Sequence, residues 1–327
     1  MERESLTAEH ASKFFNMTSS TSNYAVLLLA HGTADSVDDI PEFLRNVTGG
    51  RGVPPQVIEE VKHRYALIGH SPMNDITARQ GELLAQELQV PVYVGMRNWK
   101  PLIPNVVRKM ASDGVTRAVG ICLAPQNSRT SVGLYLKAVQ GETGTPFALE
   151  FVESWHDHPL LIRAFTVKLR AGWVSACAEA GAKVPILFTA HSVPARTIAE
   201  GDPYERQARE TAALVAESAG LKHDDWSFAF QSQGMSGGEW LGPTVEDTIT
   251  RLKQEGHSGV FVQPIGFLCD HVEVLYDVDI GFKQFAKGQG MRLWRAESLN
   301  ESPLLIAALA DIARSVGAGA RQVGSRS

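Results

Sequence analysis

In this 327-residue sequence, the segment from Cys269 to Asp279 is rich in acidic side chains that could transfer protons or bind cations. Glu273 and Asp277 are four positions apart, so they share one face if the segment begins a helix. Neighbouring carboxylates repel one another, and they occur where a protein handles cations or protons. A structural alternative is open, because Asp270 and Glu273 have the spacing of a capping box and acidic residues favour the first turn of a helix.

His191 is the second candidate, since it lies between the small residues Ala190 and Ser192 at the end of an apolar run. Pro194 stiffens the turn that follows, which leaves the imidazole free to point into a crevice. A neutral imidazole that faces a carboxylate can accept protons and can bind a borderline divalent metal. A histidine at a strand end is more commonly structural, and spacing alone does not bring His191 to Glu273.

Two parts of the chain repeat the same order of elements. Apolar runs at residues 25–30 and 184–190 each end in Ala-His and a small residue, which is typical of a buried parallel strand. After each run come a helical segment, a strand, a loop with Gly and Trp, and a segment that opens with Pro and closes with Gly. This alternation predicts an α/β fold with two similar Rossmann-like domains, each a parallel sheet flanked by helices, and a cleft between them.

The repeat also predicts the division of the chain. We expect four parts: a mobile arm at residues 1–23, a first domain at 24–155, a second at 156–301, and a C-terminal helix at 302–320 that packs back on the protein. Ligands bind beyond the carboxyl ends of parallel strands in such folds, so the strand ends near His31 and His191 should face one crevice.

Composition and missing motifs exclude several classes of function. With 31 basic and 36 acidic residues the net charge is −5, and no run of Lys and Arg indicates nucleic-acid binding. The dinucleotide motif, the Walker loop and the nucleophile elbow are all missing from the sequence. Three scattered cysteines argue against an iron–sulfur cluster, and the lack of a signal peptide or transmembrane run predicts a cytoplasmic protein.

The motifs resemble those of the ferrochelatases, which insert ferrous iron into a porphyrin in haem synthesis. Residues 188–194 (FTAHSVP) and 264–277 (PIGFLCDHVEVLYD) are similar to the two signature segments of that family, and the resemblance covers nearly the whole chain after the arm. It implies that His191 abstracts protons and contacts the metal, that Glu273 relays protons or delivers the metal, and that Asp277 is the next step outward. Fe²⁺ is then a substrate, and no cofactor is permanently bound.

The resemblance also indicates where the porphyrin would be held, because its propionates need Arg, Lys or hydroxyl partners. The candidates are Arg45, Arg51, Tyr65, Ser71, Arg129, Ser131 and Tyr135, with an apolar cleft formed by Leu44, Ile68, Met73, Trp99 and Trp240. His31 stands where bacterial relatives often have a Tyr that faces the metal, which implies either an axial ligand to iron or a structural role. Gly281 stands where the acidic ladder often continues, which puts an outer cation site in doubt.

Two alternatives stay open: a chelatase for another metal or tetrapyrrole, such as cobalt with a sirohydrochlorin-type ring, and a non-catalytic porphyrin or haem carrier. A two-lobed ligand-binding protein is disfavoured by the missing signal peptide. The compact length and the lack of a membrane-binding tail favour coproporphyrin over protoporphyrin. The expected partners are the porphyrin and ferrous iron, with transient contacts to neighbouring enzymes of the haem pathway.

Overall fold

Two parallel four-stranded sheets form the centre of the computed structural model, which describes residues 24–233 and 238–323. The predicted arm at residues 1–23 lies outside the described residues. The first unit consists of β1 (Tyr24–Ala30), α1 (Ile40–Val47), α2 (Pro55–Ile68), α3 (Met73–Leu88), β2 (Val92–Met96), α4 (Ile103–Ser112), β3 (Arg117–Cys122), α5 (Val132–Gln140) and β4 (Ala148–Val152).

The second unit repeats this plan with additional short helices after its last central strand. It consists of α6 (Pro159–Ala180), β5 (Ile186–His191), α7 (Ala195–Ala199), α8 (Tyr204–Ala219), β6 (Trp226–Gln231), α9 (Val245–Gln254), β7 (Gly259–Pro264), α10 (Val272–Leu275), a π-helix (Asp277–Phe282), α11 (Lys283–Gly288) and β8 (Arg292–Arg295). The chain then enters α12 (Pro303–Val323).

The strand order is the same in both sheets, β2-β1-β3-β4 and β6-β5-β7-β8, and every pair is parallel. β1 and β5 are inner strands whose side chains are buried on both faces, which explains their uninterrupted apolar sequences. The matching orders confirm the predicted α/β fold of two similar units.

The carboxyl ends of the inner strands position the candidate residues. β1 ends at Ala30, so His31 is the first residue beyond the sheet, and β5 ends at His191 itself. β7 ends at Pro264, and the chain that follows leads into α10 with Glu273 in its first turn. A cluster of apolar side chains from the first unit, which includes Tyr65, packs against Val272 and brings the two strand ends together.

α12 returns from the second unit to the first, where it packs on α3, and it also contacts α6. Its buried residues Leu305 and Leu309 share one apolar cluster with Leu28 of β1, and burial of each leucine contributes about 1.5–3 kcal/mol. The hydroxyl of Tyr24 donates to the carbonyl of Ala313 at 3.0 Å. Across the part of the chain that the structure describes, no helix is both long and apolar enough to span a membrane.

Candidate active site

His191 is held at the end of β5 with one ring nitrogen bound and the other facing a carboxylate. Its Nδ1 is hydrogen-bonded to the carbonyl of Ser192, and its Nε2 lies 3.3 Å from Oε1 of Glu273. The hydroxyl of Tyr204 donates to the His191 carbonyl at 2.9 Å, which fixes the backbone at this point. The bond at Nδ1 fixes the ring so that Nε2 is the atom available for chemistry.

The Glu273 carboxylate lies between the imidazole rings of His191 and His271. Its Oε2 is 3.4 Å from Nε2 of His271, while Oε1 faces His191. The side-chain amide of Gln231, at the end of β6, donates to the Glu273 carbonyl at 3.1 Å. The carboxylate is therefore positioned by two strand ends rather than by α10, which is only one turn long.

Asp277 begins the π-helix and is bound from two directions. Its Oδ2 accepts a hydrogen bond from the hydroxyl of Ser232, and its Oδ1 lies 3.4 Å from the guanidinium of Arg64 on α2. A single α-helix through Glu273 and Asp277 would give the shared face that the spacing suggests. The structure instead has one α-turn followed by a π-helix, a rare geometry that is frequent at functional sites.

The capping-box interpretation of Asp270 is wrong. The N-cap residue of α10 is His271, whose side chain makes no capping bond. The Asp270 carboxylate accepts hydrogen bonds from Ser298 Oγ at 2.7 Å and Asn300 Nδ2 at 2.9 Å. Asp270 therefore ties this segment to the chain after β8.

The three central groups shift one another's pKa values in ways that suit proton transfer. Burial lowers the pKa of His191, but the charge and hydrogen bond of Glu273 outweigh burial and raise it to about 8. Burial raises the pKa of Glu273, yet the facing His191 and His271 hold it well below its usual range. Burial is also the main reason that the pKa of Asp277 is raised, with the charge of Glu273 adding to it. The result is an imidazole with a pKa of about 8 beside two acids of unequal strength.

His31 has no free lone pair in this structure. Its Nδ1 is 2.9 Å from the carbonyl of Gly32, and its Nε2 is 2.9 Å from Nδ2 of Asn98. Burial, with the nearby charge of Arg97, lowers the pKa of His31 to about 4, so the ring is neutral at pH 7 and accepts from the Asn98 amide. Gly32 has φ +76°, and a Cβ there would lie 2.9 Å from Cβ of Met96, so only glycine fits this turn.

Three candidate porphyrin ligands are buried in the first unit. Tyr65 shares a 2.5 Å hydrogen bond with Thr33, and burial raises the pKa of its hydroxyl to about 12. The Ser71 hydroxyl is buried and has no hydrogen-bond partner among the described residues. Tyr135 is buried with the guanidinium of Arg97 5.3 Å from its ring centroid.

The remaining candidates lie at the surface. Arg45 and Arg51 are exposed near the end of α1, and Arg51 donates to the Thr48 carbonyl of its own loop. Arg129 reaches into the second unit, where it pairs with Glu200 at 2.9 Å. Ser131 is half-buried before α5.

One aromatic that the sequence places at the cleft belongs to the core. Trp99 is almost fully buried, its ring packs edge-on against Phe43, and its Nε1 donates to Asp35 at 2.8 Å. Trp99 therefore stabilises the loop after β2 and does not present its ring to a ligand.

Four residues of the site were not predicted from the sequence: His271, Gln231 and Ser232, which touch Glu273 or Asp277, and Asn98, which touches His31. His271 stands within the acidic segment, and Gln231 and Ser232 follow an apolar run, so position beyond a strand end was the available signal. Within residues 24–233 and 238–323, no three His, Cys, Asp or Glu side chains are grouped so that they could hold a metal ion.

A profile of the family described as Ferrochelatase matches residues 23–316. The chain belongs to the ferrochelatase family. A ferrochelatase of Acidobacterium capsulatum is 57% identical over 306 residues, which are 89% of this chain and 94% of that protein. The coproporphyrin III ferrochelatase of a Geobacillus species is 36% identical over 299 residues, with 88% of this chain and 96% of that protein covered.

A solved structure, SirB from Bacillus subtilis with Fe³⁺, has a fold similar to that of this chain. The match covers 91% of this chain and 97% of SirB with a TM-score of 0.57, at 11% sequence identity. Family and relatives together confirm the predicted activity, the insertion of iron into a porphyrin in haem synthesis.

Proposed function

We propose that His191 passes its Nε2 proton to Glu273, that the freed Nε2 then accepts a pyrrole proton during iron insertion, and that Glu273 passes each proton on toward Asp277. The observation that carries this assignment is the 3.3 Å approach of His191 Nε2 to Glu273 Oε1 at the carboxyl ends of β5 and β7. A metal-free porphyrin has two N–H groups, so two protons leave the ring as one Fe²⁺ enters. The raised pKa of Asp277 makes it the better proton holder of the two carboxylates, which gives the relay its direction.

The same pair supports metal contact. We propose that His191 and Glu273 each offer one donor to the incoming Fe²⁺ before it passes to the four pyrrole nitrogens. Iron is then a substrate rather than a resident cofactor. His31 would become an axial ligand once Asn98 releases its Nε2, which is the ring's only acceptor atom in this arrangement.

Coproporphyrin is the porphyrin that we propose as substrate. Its four carboxylates require more polar partners than the two of protoporphyrin, and this chain combines buried hydroxyls at Tyr65 and Ser71 with the exposed cations Arg45 and Arg51. The Geobacillus relative that carries coproporphyrin in its name adds support. A cytoplasmic location and transient contacts with neighbouring enzymes of the pathway stay predictions.

A side-by-side turnover assay with Fe²⁺ and each porphyrin tests the substrate. Faster insertion into coproporphyrin is expected, and faster insertion into protoporphyrin contradicts the proposal. Failure with both would contradict iron insertion itself.

The roles of the central pair are tested by His191→Ala and Glu273→Gln, with His223→Ala as control because its side chain is 98% exposed. Both site variants should bind porphyrin, keep the wild-type circular dichroism spectrum and lose iron insertion. The control should keep full activity. Near-normal iron insertion in either site variant would contradict the role proposed for that residue. If the protein were a non-catalytic porphyrin carrier, all three variants would bind porphyrin as the wild type does, and the wild type itself would not insert iron.

A further inference from the structure

The segment that carries Glu273 and Asp277 is anchored at both ends by one arginine of β8. Arg295 donates from Nε and Nη2 to the two carboxylate oxygens of Asp279, both at 2.8 Å, and its Nη1 lies 3.4 Å from Oδ1 of Asp270. Asp270 precedes Glu273 by three residues, and Asp279 follows Asp277 by two. A single guanidinium therefore binds both ends of residues 270–279, which we call the functional segment.

This anchor is well protected from water. The Arg295 side chain is 13% exposed, against 57% for Arg292 in the same strand. A planar guanidinium that binds a carboxylate with two parallel hydrogen bonds fixes orientation as well as distance. Additional hydrogen bonds from Ser298 and Asn300 to Asp270 hold the same end of the segment.

The functional segment needs such support because its own helices are weak. α10 has four residues and no side-chain cap, and a helix of that length is not stable without tertiary contacts. The π-helix that follows is likewise rare without external stabilisation. The position of the Glu273 carboxylate opposite His191 thus depends on contacts from other parts of the chain.

We propose that Arg295 is a positioning residue for iron insertion, which holds Glu273 and Asp277 in register with His191 through Asp270 and Asp279. This inference rests on the proposed roles of the central pair. Among the described residues, the hydrogen bonds and ion pairs of Arg295 go to Asp270, Asp279, Ala296 and Ser298, so it acts on Glu273 and Asp277 only through the segment that it anchors.

The experiment compares Arg295→Met with Arg295→Lys and with the control Arg292→Met. Arg292 is a matched control, because it lies in the same strand and pairs with Glu179 at 2.6 Å instead of with a residue of the functional segment. We measure kcat, the KM for porphyrin, the dissociation constant for metal-free porphyrin and the urea midpoint of each protein.

Arg295→Met should lower kcat about 100-fold, the loss that follows a misplacement of about 1 Å, while the porphyrin dissociation constant stays at the wild-type value. Arg295→Lys keeps the charge but cannot form the two parallel hydrogen bonds to Asp279, so its kcat should lie between those of Arg295→Met and the wild type. Arg292→Met should keep the wild-type kcat. A loss of stability without a fall in kcat, or equal kcat values in the two methionine variants, would overturn the proposal.

Asp279→Asn provides a second test if Arg295→Met does not fold, because it removes the ion pair and keeps the side-chain volume. It should lower kcat and leave porphyrin binding unchanged, and a wild-type kcat in a folded Asp279→Asn would overturn the proposal. Near-normal insertion in His191→Ala or Glu273→Gln would instead contradict the proposed function, so the two failures are distinguishable.

Discussion

Removal of the Asp202 carboxylate should destabilise the contact between the two units by several kcal/mol. Asp202 lies between α7 and α8, and its side chain is completely buried. It accepts hydrogen bonds from the backbone N–H of Arg129 at 2.7 Å, the Ser128 hydroxyl at 3.2 Å and the backbone N–H of Tyr204 at 3.1 Å. Two of these donors belong to the first unit, so one carboxylate joins the loop before α5 to the second unit.

The magnitude follows from the donors that Asp202→Ala leaves behind. The Ser128 hydroxyl keeps a partner, since it also bonds to the hydroxyl of Thr130 at 2.8 Å. The two backbone N–H groups of Arg129 and Tyr204 lose the acceptor, and each unsatisfied buried donor costs ~1–3 kcal/mol, so the free energy of unfolding should fall by ~2–6 kcal/mol. Asp202→Asn keeps one carbonyl oxygen and should lose less.

Urea unfolding followed by far-UV circular dichroism measures this loss, and an unchanged m-value would show that the unfolded state is the same. Asp224→Ala is the control, because the Asp224 side chain is 100% exposed, and a surface change of this kind should stay within about 0.5 kcal/mol of wild type. If Asp202→Ala and Asp224→Ala unfold at the same urea concentration, the carboxylate does not hold the units together and the argument from buried donors is refuted.

Four further predictions concern the cleft. NMR titration of the His191 ring should give a pKa of about 8, and Glu273→Gln should lower it below the usual 6.5, because burial then acts without the opposing charge; an unchanged pKa would show that Glu273 is not the cause. The raised pKa also means that the stability gained from the His191 pair is complete below pH 6.5 and is lost as pH rises through 8, which urea midpoints across that range would show. Ser71→Ala should raise the KM for porphyrin without loss of stability, since its buried hydroxyl has no hydrogen-bond partner among the described residues, whereas Ser227→Ala, which removes a similar hydroxyl in β6, should leave the KM unchanged. His31→Ala should change the absorption band of the product haem, and an identical spectrum would argue against ligation by His31.

The inner strands could be predicted from sequence, and two edge strands could not. Buried parallel strands have continuous apolar runs, so the predictions for β1 and β5 differ from the structure by at most two residues at either end. β4 and β8 are edge strands with polar residues such as Glu150 and Arg292, and their sequences contain no comparable run. The parallel order itself followed from the repeat of strands and helices.

The central pair was predictable in part, because the resemblance and the strand ends both indicated His191 and Glu273. The π-helix was not, since it depends on bonds that no local pattern encodes. The N–H of Gly281 reaches back five residues to the Tyr276 carbonyl at 2.9 Å, and Arg295 binds Asp279 from a strand that comes later in the chain. The contact of Arg295 with Asp279 is tertiary, and spacing within the segment cannot reveal it.

The return of α12 to the first unit has a consequence for synthesis on the ribosome. Val26 and Ile121 of the first sheet are buried in one cluster with Ile306 of α12, so part of that sheet has no cover when β4 leaves the ribosome. At about 5–20 residues per second, the roughly 160 residues between β4 and the buried part of α12 take about 10–30 s to make. For that time a growing chain exposes apolar surface to chaperones and to other nascent chains, and the unit that is translated first is completed last.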